Sequence, residues 1–136
     1  PKLAIIRGMN HTILAIDYGL ARVGLALGDS EAGVVSSRQT FANDPQLMEK
    51  LILLCSDNQV QKIILGLPRG LDSQETRQTK VTREFAKELE ALNIPIELRD
   101  EAGTSSLAKE RLGKNPPKEL VDAESAAIIL EEYLND

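Results

Sequence analysis

The pattern of the chain predicts an α/β protein: a mixed five-stranded sheet, three antiparallel strands and then parallel ones, flanked by helices. Three observations predict it. Apolar runs near residues 12–16, 23–27 and 34–41 are separated by only a few residues, so they pair as antiparallel neighbours, because a parallel crossover needs a dozen residues or more. Beyond Asp44 the rhythm changes to helix, strand, helix, strand, the alternation that places helices over a sheet. Finally, 136 residues with 42% hydrophobic and 27% charged side chains match one soluble globular domain.

The elements follow in order. Thr12 to Ile16 is a buried strand closed by the turn signal Asp17-Tyr18-Gly19, and Val23 to Leu27 is a second, closed by Gly28-Asp29-Ser30. Val34 to Phe41 is a weaker third strand. Asp44-Pro45 reads as a cap with proline in the first helical position, ahead of Leu47, Leu51 and Leu54 at helical spacing. Lys62 to Gly66 is a buried strand stopped by Leu67-Pro68-Arg69-Gly70. A long helix is expected from about Ser73 to Leu92 with Val81, Phe85, Leu89 and Leu92 inward. Ile94 to Leu98 is the last strand, leading into Arg99-Asp100-Glu101. Thr104 to Leu112 suits a short helix, Gly113 to Pro117 a polar loop, and Glu119 to Leu134 a final helix with Ala123, Ala126, Ala127, Leu130 and Leu134 inward. Residues 12–136 are thus expected to form a single domain. Residues 1–11 read as an N-terminal extension, with Met9 a candidate natural start.

Composition excludes several functions. Lys and Arg number 16 against 21 Asp and Glu, a net charge of −5, which argues against coating nucleic acid by bulk charge and leaves room only for a local basic stripe. Cys55 is the only cysteine, so the chain holds no internal disulfide and no thiolate zinc site. His11 is the only histidine and lies near the N-terminus, a poor place for a Ser-His-Asp triad. No Gly-x-x-x-x-Gly-Lys-Ser/Thr loop occurs, which excludes a P-loop nucleotidase. No apolar run approaches the roughly 18–20 residues of a membrane span, and no secretory leader is evident, so a cytoplasmic protein without a membrane partner is expected.

The informative residues are acids at strand ends. Asp17 ends the first buried strand, Asp100 and Glu101 follow the last, and Asp122 lies early in the final helix beside Ala123, Ser125, Ala126 and Ala127. Ligands bind at the carboxyl ends of parallel strands in open α/β sheets, so these acids are expected to converge on one edge. Carboxylates brought together repel unless a cation holds them, and hard divalent ions such as Mg²⁺ prefer such oxygen ligands. A pair of ions could stabilise both the attacking and the leaving oxygen of a phosphodiester displacement. The plainer alternative stays open: Asp before Gly is a routine turn residue, and Asp122 near a helix N-terminus favours the dipole.

Arg69, next to Pro68 and Gly70, is placed to meet a phosphate near these acids. Arg77, Lys80, Arg83 and Lys87 share one side of the long helix, with Glu84 and Glu88 at its border, either a basic track or a solvated face of mixed charge. Gly24 reads as a hairpin glycine needing positive φ, while Gly19 keeps open the reading of backbone amides facing a phosphate. With only Tyr18, Phe41, Phe85 and Tyr133 as aromatics, a base-stacking platform is not expected.

Four segments together resemble the YqgF/RuvX family, the Holliday-junction-resolvase-like proteins to which nuclease action on pre-16S rRNA is ascribed. They are Ala15-Ile16-Asp17-Tyr18-Gly19 with Arg22-Val23-Gly24; Ile64-Leu65-Gly66-Leu67-Pro68; Asp100-Glu101 followed by Thr104; and Asp122-Ala123 with Ala126 to Leu130. The resemblance spans Ile13 to Leu134. It implies a ribonuclease-H-like fold, with Asp17, Glu101 and Asp122 as the catalytic and metal-binding acids and Mg²⁺ or Mn²⁺ as cofactor. Asp100 is expected to support these acids, and Arg22, Arg69 and Thr104 to contact substrate. The implied substrate is structured RNA, in maturation of the 5′ end of 16S rRNA, by a monomer or homodimer. A resolvase acting on branched DNA and a non-catalytic rRNA-binding assembly factor are the alternatives. The family usually has Arg directly after the motif's Glu, where this chain has Ala102, with Arg99 preceding the motif. The stretch after Leu67-Pro68 is also altered. Resolvases carry a fourth acid three residues after the helix aspartate, where this chain has Ser125, which weighs against cutting junctions.

Overall fold

Strand β1 (Thr12–Tyr18) is the axis of the sheet: its Leu14, Ala15 and Ile16 are completely buried, which requires cover on both faces, since successive side chains point to opposite sides. The computed structural model describes residues 11–69, 74–101 and 103–136; the proposed start at Met9 and the altered Gly70–Ser73 stretch lie outside them. β1 pairs antiparallel with β2 (Arg22–Asp29), which pairs antiparallel with β3 (Val34–Ala42). On its other side β1 runs parallel to β4 (Lys62–Pro68), and β4 parallel to β5 (Ile96–Glu101). The resulting order, β3-β2-β1-β4-β5, is the mixed sheet expected from the sequence.

One face carries Leu14, Ile16, Leu25, Ile63 and Leu65 into a core with Leu47, Leu51 and Cys55 of α1 (Leu47–Asp57) and Phe85 and Leu89 of α2 (Arg77–Leu89). Each such large side chain contributes roughly 1.5–3 kcal/mol by leaving water. Cys55 belongs to this core, and burial pushes its thiol up to about 11, so it is a packing residue. The other face presents Ile13, Ala15, Ala26 and Ile64 to Ala126, Ala127, Ile129 and Leu130 of α4 (Lys118–Leu134). α3 (Thr104–Leu112) closes over α4 through Ala108, which packs with Val121 and Ile128. Among the described residues no helix is long and apolar enough to cross a membrane.

The structure moves several boundaries, and the shifts bear on the site. β1, β4 and β5 extend to Tyr18, Pro68 and Glu101 because pairing continues past the apolar runs, through Asp17 opposite Gly24 and Glu101 opposite Pro68. The acids therefore sit on sheet strands and not in the turns that follow. α1 begins at Leu47, after a turn in which Asp44 Oδ1 accepts the Gln46 N–H at 2.9 Å, so Asp44 and Pro45 precede the helix. α2 begins at Arg77, capped by Thr76, and tightens into a 3₁₀ turn over Glu90–Leu92.

Thr79 and Thr82 fill positions on the buried face of α2, and Val81 is only partly covered. Period alone points at the apolar residue; hydrogen bonding explains the threonines. Thr79 Oγ1 donates to the Pro68 carbonyl at 2.5 Å and accepts the Thr76 N–H at 2.9 Å, while Thr82 Oγ1 donates to the Gln78 carbonyl at 2.9 Å. With partners for both hydroxyls, burial is tolerated. Thr79→Val should cost about 1–3 kcal/mol by orphaning two backbone groups. Urea denaturation reads this directly, and an unchanged midpoint would show that the hydroxyl does not tie α2 to β4.

Candidate active site

Asp17 shares its strand face with Ile13 and Ala15, so it points toward α4. The neighbour across the hairpin is Gly24, and here the helix comes against bare backbone. A Cβ on Gly24 would lie 1.9 Å from the Asp122 carbonyl oxygen and 3.1 Å from the Ala123 nitrogen. The glycine therefore serves close approach. Its φ is outside the positive region, which corrects the hairpin reading of the sequence. By resting on Gly24, the second turn of α4 carries Asp122 toward Asp17.

Glu101 reaches the same face from the end of β5, in register with Pro68. Its carboxyl lies over Gly66, where a Cβ would meet Glu101 Oε2 and Ile129 Cδ1, each at 2.6 Å. Gly66 thus leaves room for the Glu101 carboxyl, and Gly24 lets α4 approach closely enough to bring Asp122 to the site. The hairpin beside them is braced: Asn43 Nδ2 donates to the Gly19 carbonyl at 2.7 Å and Gln78 Nε2 to the Tyr18 carbonyl at 3.1 Å.

The electrostatics are those of carboxyls held out of water near one another. Burial, reinforced by the charge of Asp122, raises Asp17 from its ordinary 3.8 to about 6. Burial also raises Glu101 from 4.5 to about 8, with the charge of Asp17 adding to it and the Thr104 hydroxyl, which donates to Oε1 at 3.3 Å, opposing it. Glu101 Oε2 is buried without a hydrogen-bond partner. Asp122 differs, since Arg22 Nε donates to its Oδ2 at 2.8 Å and both side chains are about three-quarters covered. Among the described residues no three acidic, histidine or cysteine side chains are close enough to hold a metal ion as they stand. Asp17 and Glu101 interact with each other and Asp17 with Asp122, while Arg22 neutralises Asp122.

Of the remaining expected residues only Thr104 is in contact with one of these acids. Thr104 is buried against Glu101. Arg69 Nε donates to Asp100 Oδ1 at 3.1 Å, and its guanidinium also meets Glu75 at 3.6 Å. Asp100, next to Glu101 on the strand, points to the opposite face and is largely exposed, so it does not buttress the acids as the sequence suggested. Arg99 pairs with Asp136 and Glu97 and lies over the Tyr133 ring, turned toward the far end of α4. Sequence reading missed the roles of Gly24 and Gly66 and the Arg22–Asp122 pair. The signal was present only as hairpin register, which sets Gly24 opposite Asp17.

A family model described as RuvX, Holliday junction resolvase, matches residues 11–136. The chain belongs to the RuvX family. Two RuvX relatives carry the curated name "Putative pre-16S rRNA nuclease": that of Sulfurihydrogenibium is 36% identical over 129 residues, covering 90% of this chain and 89% of the relative, and that of Thermosynechococcus vestitus is 35% identical over 135 residues, covering 91% and 87%. In three dimensions the chain is similar to Thermus thermophilus RuvC solved with a Holliday junction substrate, with a TM-score of 0.60 at 13% identity, covering 92% of this chain and 94% of that one. Fowlpox virus resolvase, solved with Holliday junction DNA, gives 0.59 at 12% identity, with coverage of 91% and 97%. At such identities the likeness establishes the ribonuclease-H-like fold of this RuvX chain.

Proposed function

We propose that this RuvX chain is a metal-dependent endonuclease that hydrolyses phosphodiester bonds of structured RNA, in 5′-end maturation of pre-16S rRNA. The observation that carries the reading is the pair of largely buried carboxyls, Asp17 and Glu101, raised by burial first and then by the charge of Asp122 on Asp17 and of Asp17 on Glu101, with Glu101 Oε2 left without a partner. A divalent cation is what such a pair lacks, and all-oxygen donors suit Mg²⁺ or Mn²⁺. Asp17, Glu101 and Asp122 would hold it, with Asp122 drawn from Arg22. When bound, the ion supplies Lewis acidity to the phosphodiester and a nucleophilic water near neutral pH. Arg22, once released, would become a guanidinium beside the acids, suited to phosphate oxygens, whereas Arg69, at the same sheet edge, would first have to leave Asp100 and Glu75. The curated names of the relatives support rRNA as the substrate class.

A non-catalytic RNA-binding role is favoured by one specific observation, the Arg22–Asp122 pair that already neutralises one acid. Calorimetric Mn²⁺ titration distinguishes the two. The nuclease reading expects binding heat that disappears in Asp17→Asn, and heat equal in both proteins would remove the site. Precursor rRNA and a four-way DNA junction, incubated in parallel with Mn²⁺, test the substrate. Cleavage of the RNA is the expected result. Cleavage of the junction alone would move the assignment to branched DNA, and inertness toward both would favour the binder.

A further inference from the structure

The α3–α4 connection borders an open cavity of about 580 Å³ whose lining includes Arg22, Ser105, Lys109, Asn115, Lys118 and Asp122. Asn115 at φ 47° and Gly113 at φ 88° turn the chain sharply enough to form its wall. The charge is one-sided. Among the described residues of the lining Asp122 is the only acid, against three cations, and its own charge is already met by Arg22. Every described arginine except Arg77 is in an ion pair, as is Lys62; among the described residues Lys109 and Lys118, like Lys50, Lys80, Lys87 and Lys114, have no ion-pair partner. Two of these unpaired ammonium groups thus face a cavity that Arg22 and the candidate catalytic Asp122 also line.

We infer that this cavity holds the sugar-phosphate backbone of the substrate strand flanking the reacting phosphodiester, with Lys109 and Lys118 as the phosphate contacts. The inference rests on the proposed nuclease reading and adds to it a second binding subsite. Size supports a backbone segment, since a few hundred Å³ accommodates a small organic ligand and far exceeds the roughly 30 Å³ share of one water. Chemistry supports it as well. Lysine ammonium groups, the Ser105 hydroxyl and the Asn115 amide donate to phosphate and ribose oxygens, and no aromatic side chain lines the cavity for base stacking. The grip is on backbone, without sequence choice.

Fluorescence anisotropy on the Asp17→Asn background, where cleavage is off, tests this with a labelled hairpin RNA and a labelled four-way DNA junction across a range of salt concentrations. Lys109→Gln and Lys118→Gln should each weaken binding several-fold and lower the slope of log affinity against log salt by about 0.7–0.9. Lys109→Arg and Lys118→Arg should restore the slope, and Lys50→Gln, on the other face of the sheet, should change nothing. Glutamine variants that bind with parental affinity and slope would overturn the subsite while leaving the nuclease reading standing. A parent protein that binds neither probe would overturn both. An effect confined to the DNA junction would support the subsite and overturn RNA as the substrate.

Discussion

Asp17→Asn is expected to abolish divalent-metal binding and cleavage while making the metal-free protein more stable at pH 8. Both effects follow from one carboxyl. Held at about 6 against an ordinary 3.8, Asp17 binds its proton more tightly in the fold than in the unfolded chain. Its contribution to stability is therefore intact below pH 4 and is lost as pH rises through about 6; Glu101, held at about 8, extends the loss to higher pH. At 1.36 kcal/mol for each unit of pKa, ionised Asp17 costs the fold on the order of 3 kcal/mol. The neutral asparagine carries no such cost, so the variant should melt roughly 10 °C above the parent at pH 8 without metal. At pH 4 the difference should largely disappear, because the parent carboxyl is then protonated. Mn²⁺ should reverse the ranking by stabilising the parent through mass action and leaving the variant unmoved. Even residues that only orient a metal ligand cost about 10–100-fold in affinity, so loss of a ligand should exceed that range. Thermal melts at pH 4 and pH 8, with and without Mn²⁺, read all of this. A variant less stable than the parent at pH 8, or one still stabilised by Mn²⁺, would show that Asp17 is a structural carboxyl.

Much of this frame was legible because apolar runs and short connections are local signals. Leu14, Ile16, Ile63 and Leu65 announce buried strands, and the residue counts between runs decide which pairs are antiparallel. The α4 face was legible too, since Ala123, Ala126, Ala127 and Leu130 recur at helical spacing and are all buried. What escaped reading depends on partners distant along the chain. Thr79 and Thr82 are polar by composition, and only the Pro68 carbonyl and the helix's own Gln78 carbonyl make their burial tolerable. Arg22 was read as a phosphate contact, but its Asp122 partner is 100 residues away. Asp100 and Glu101 are adjacent and chemically alike; strand alternation sends one to Arg69 and the other into the site. The resemblance to a family supplied the set of three acids, and the fold explains how Glu101 comes to lie over Gly66 and how Gly24 admits the helix that carries Asp122.

These two glycines should respond to the same substitution in opposite ways. At Gly24 the new methyl would meet the Asp122 carbonyl oxygen at 1.9 Å and its carbon at 2.4 Å. Those atoms belong to the backbone of a 17-residue helix packed on β1, β2 and β3 and cannot turn aside. Overpacking a core typically costs about 1–3 kcal/mol when side chains can adjust, so Gly24→Ala should cost at least about 3 kcal/mol and tilt α4 away from the sheet. At Gly66 the obstacles, Glu101 Oε2 and Ile129 Cδ1, are the ends of flexible side chains. Gly66→Ala should therefore keep its fold, helped by the roughly 0.4–1 kcal/mol that alanine gains over glycine through the unfolded chain. The cost falls on Glu101, whose carboxyl must leave its place over β4. Displaced toward solvent, it loses the burial that holds it near 8, and the metal-free protein loses less stability between pH 5 and pH 8 than the parent does. Gly66→Ala is thus expected to be a stable, folded protein that binds Mn²⁺ weakly and does not cleave, and Gly24→Ala an unstable one. Urea melts with parallel calorimetry separate them. Equal stability of the two variants would mean that α4 does not rest on Gly24, and parental Mn²⁺ affinity in Gly66→Ala would mean that Glu101 is not a ligand.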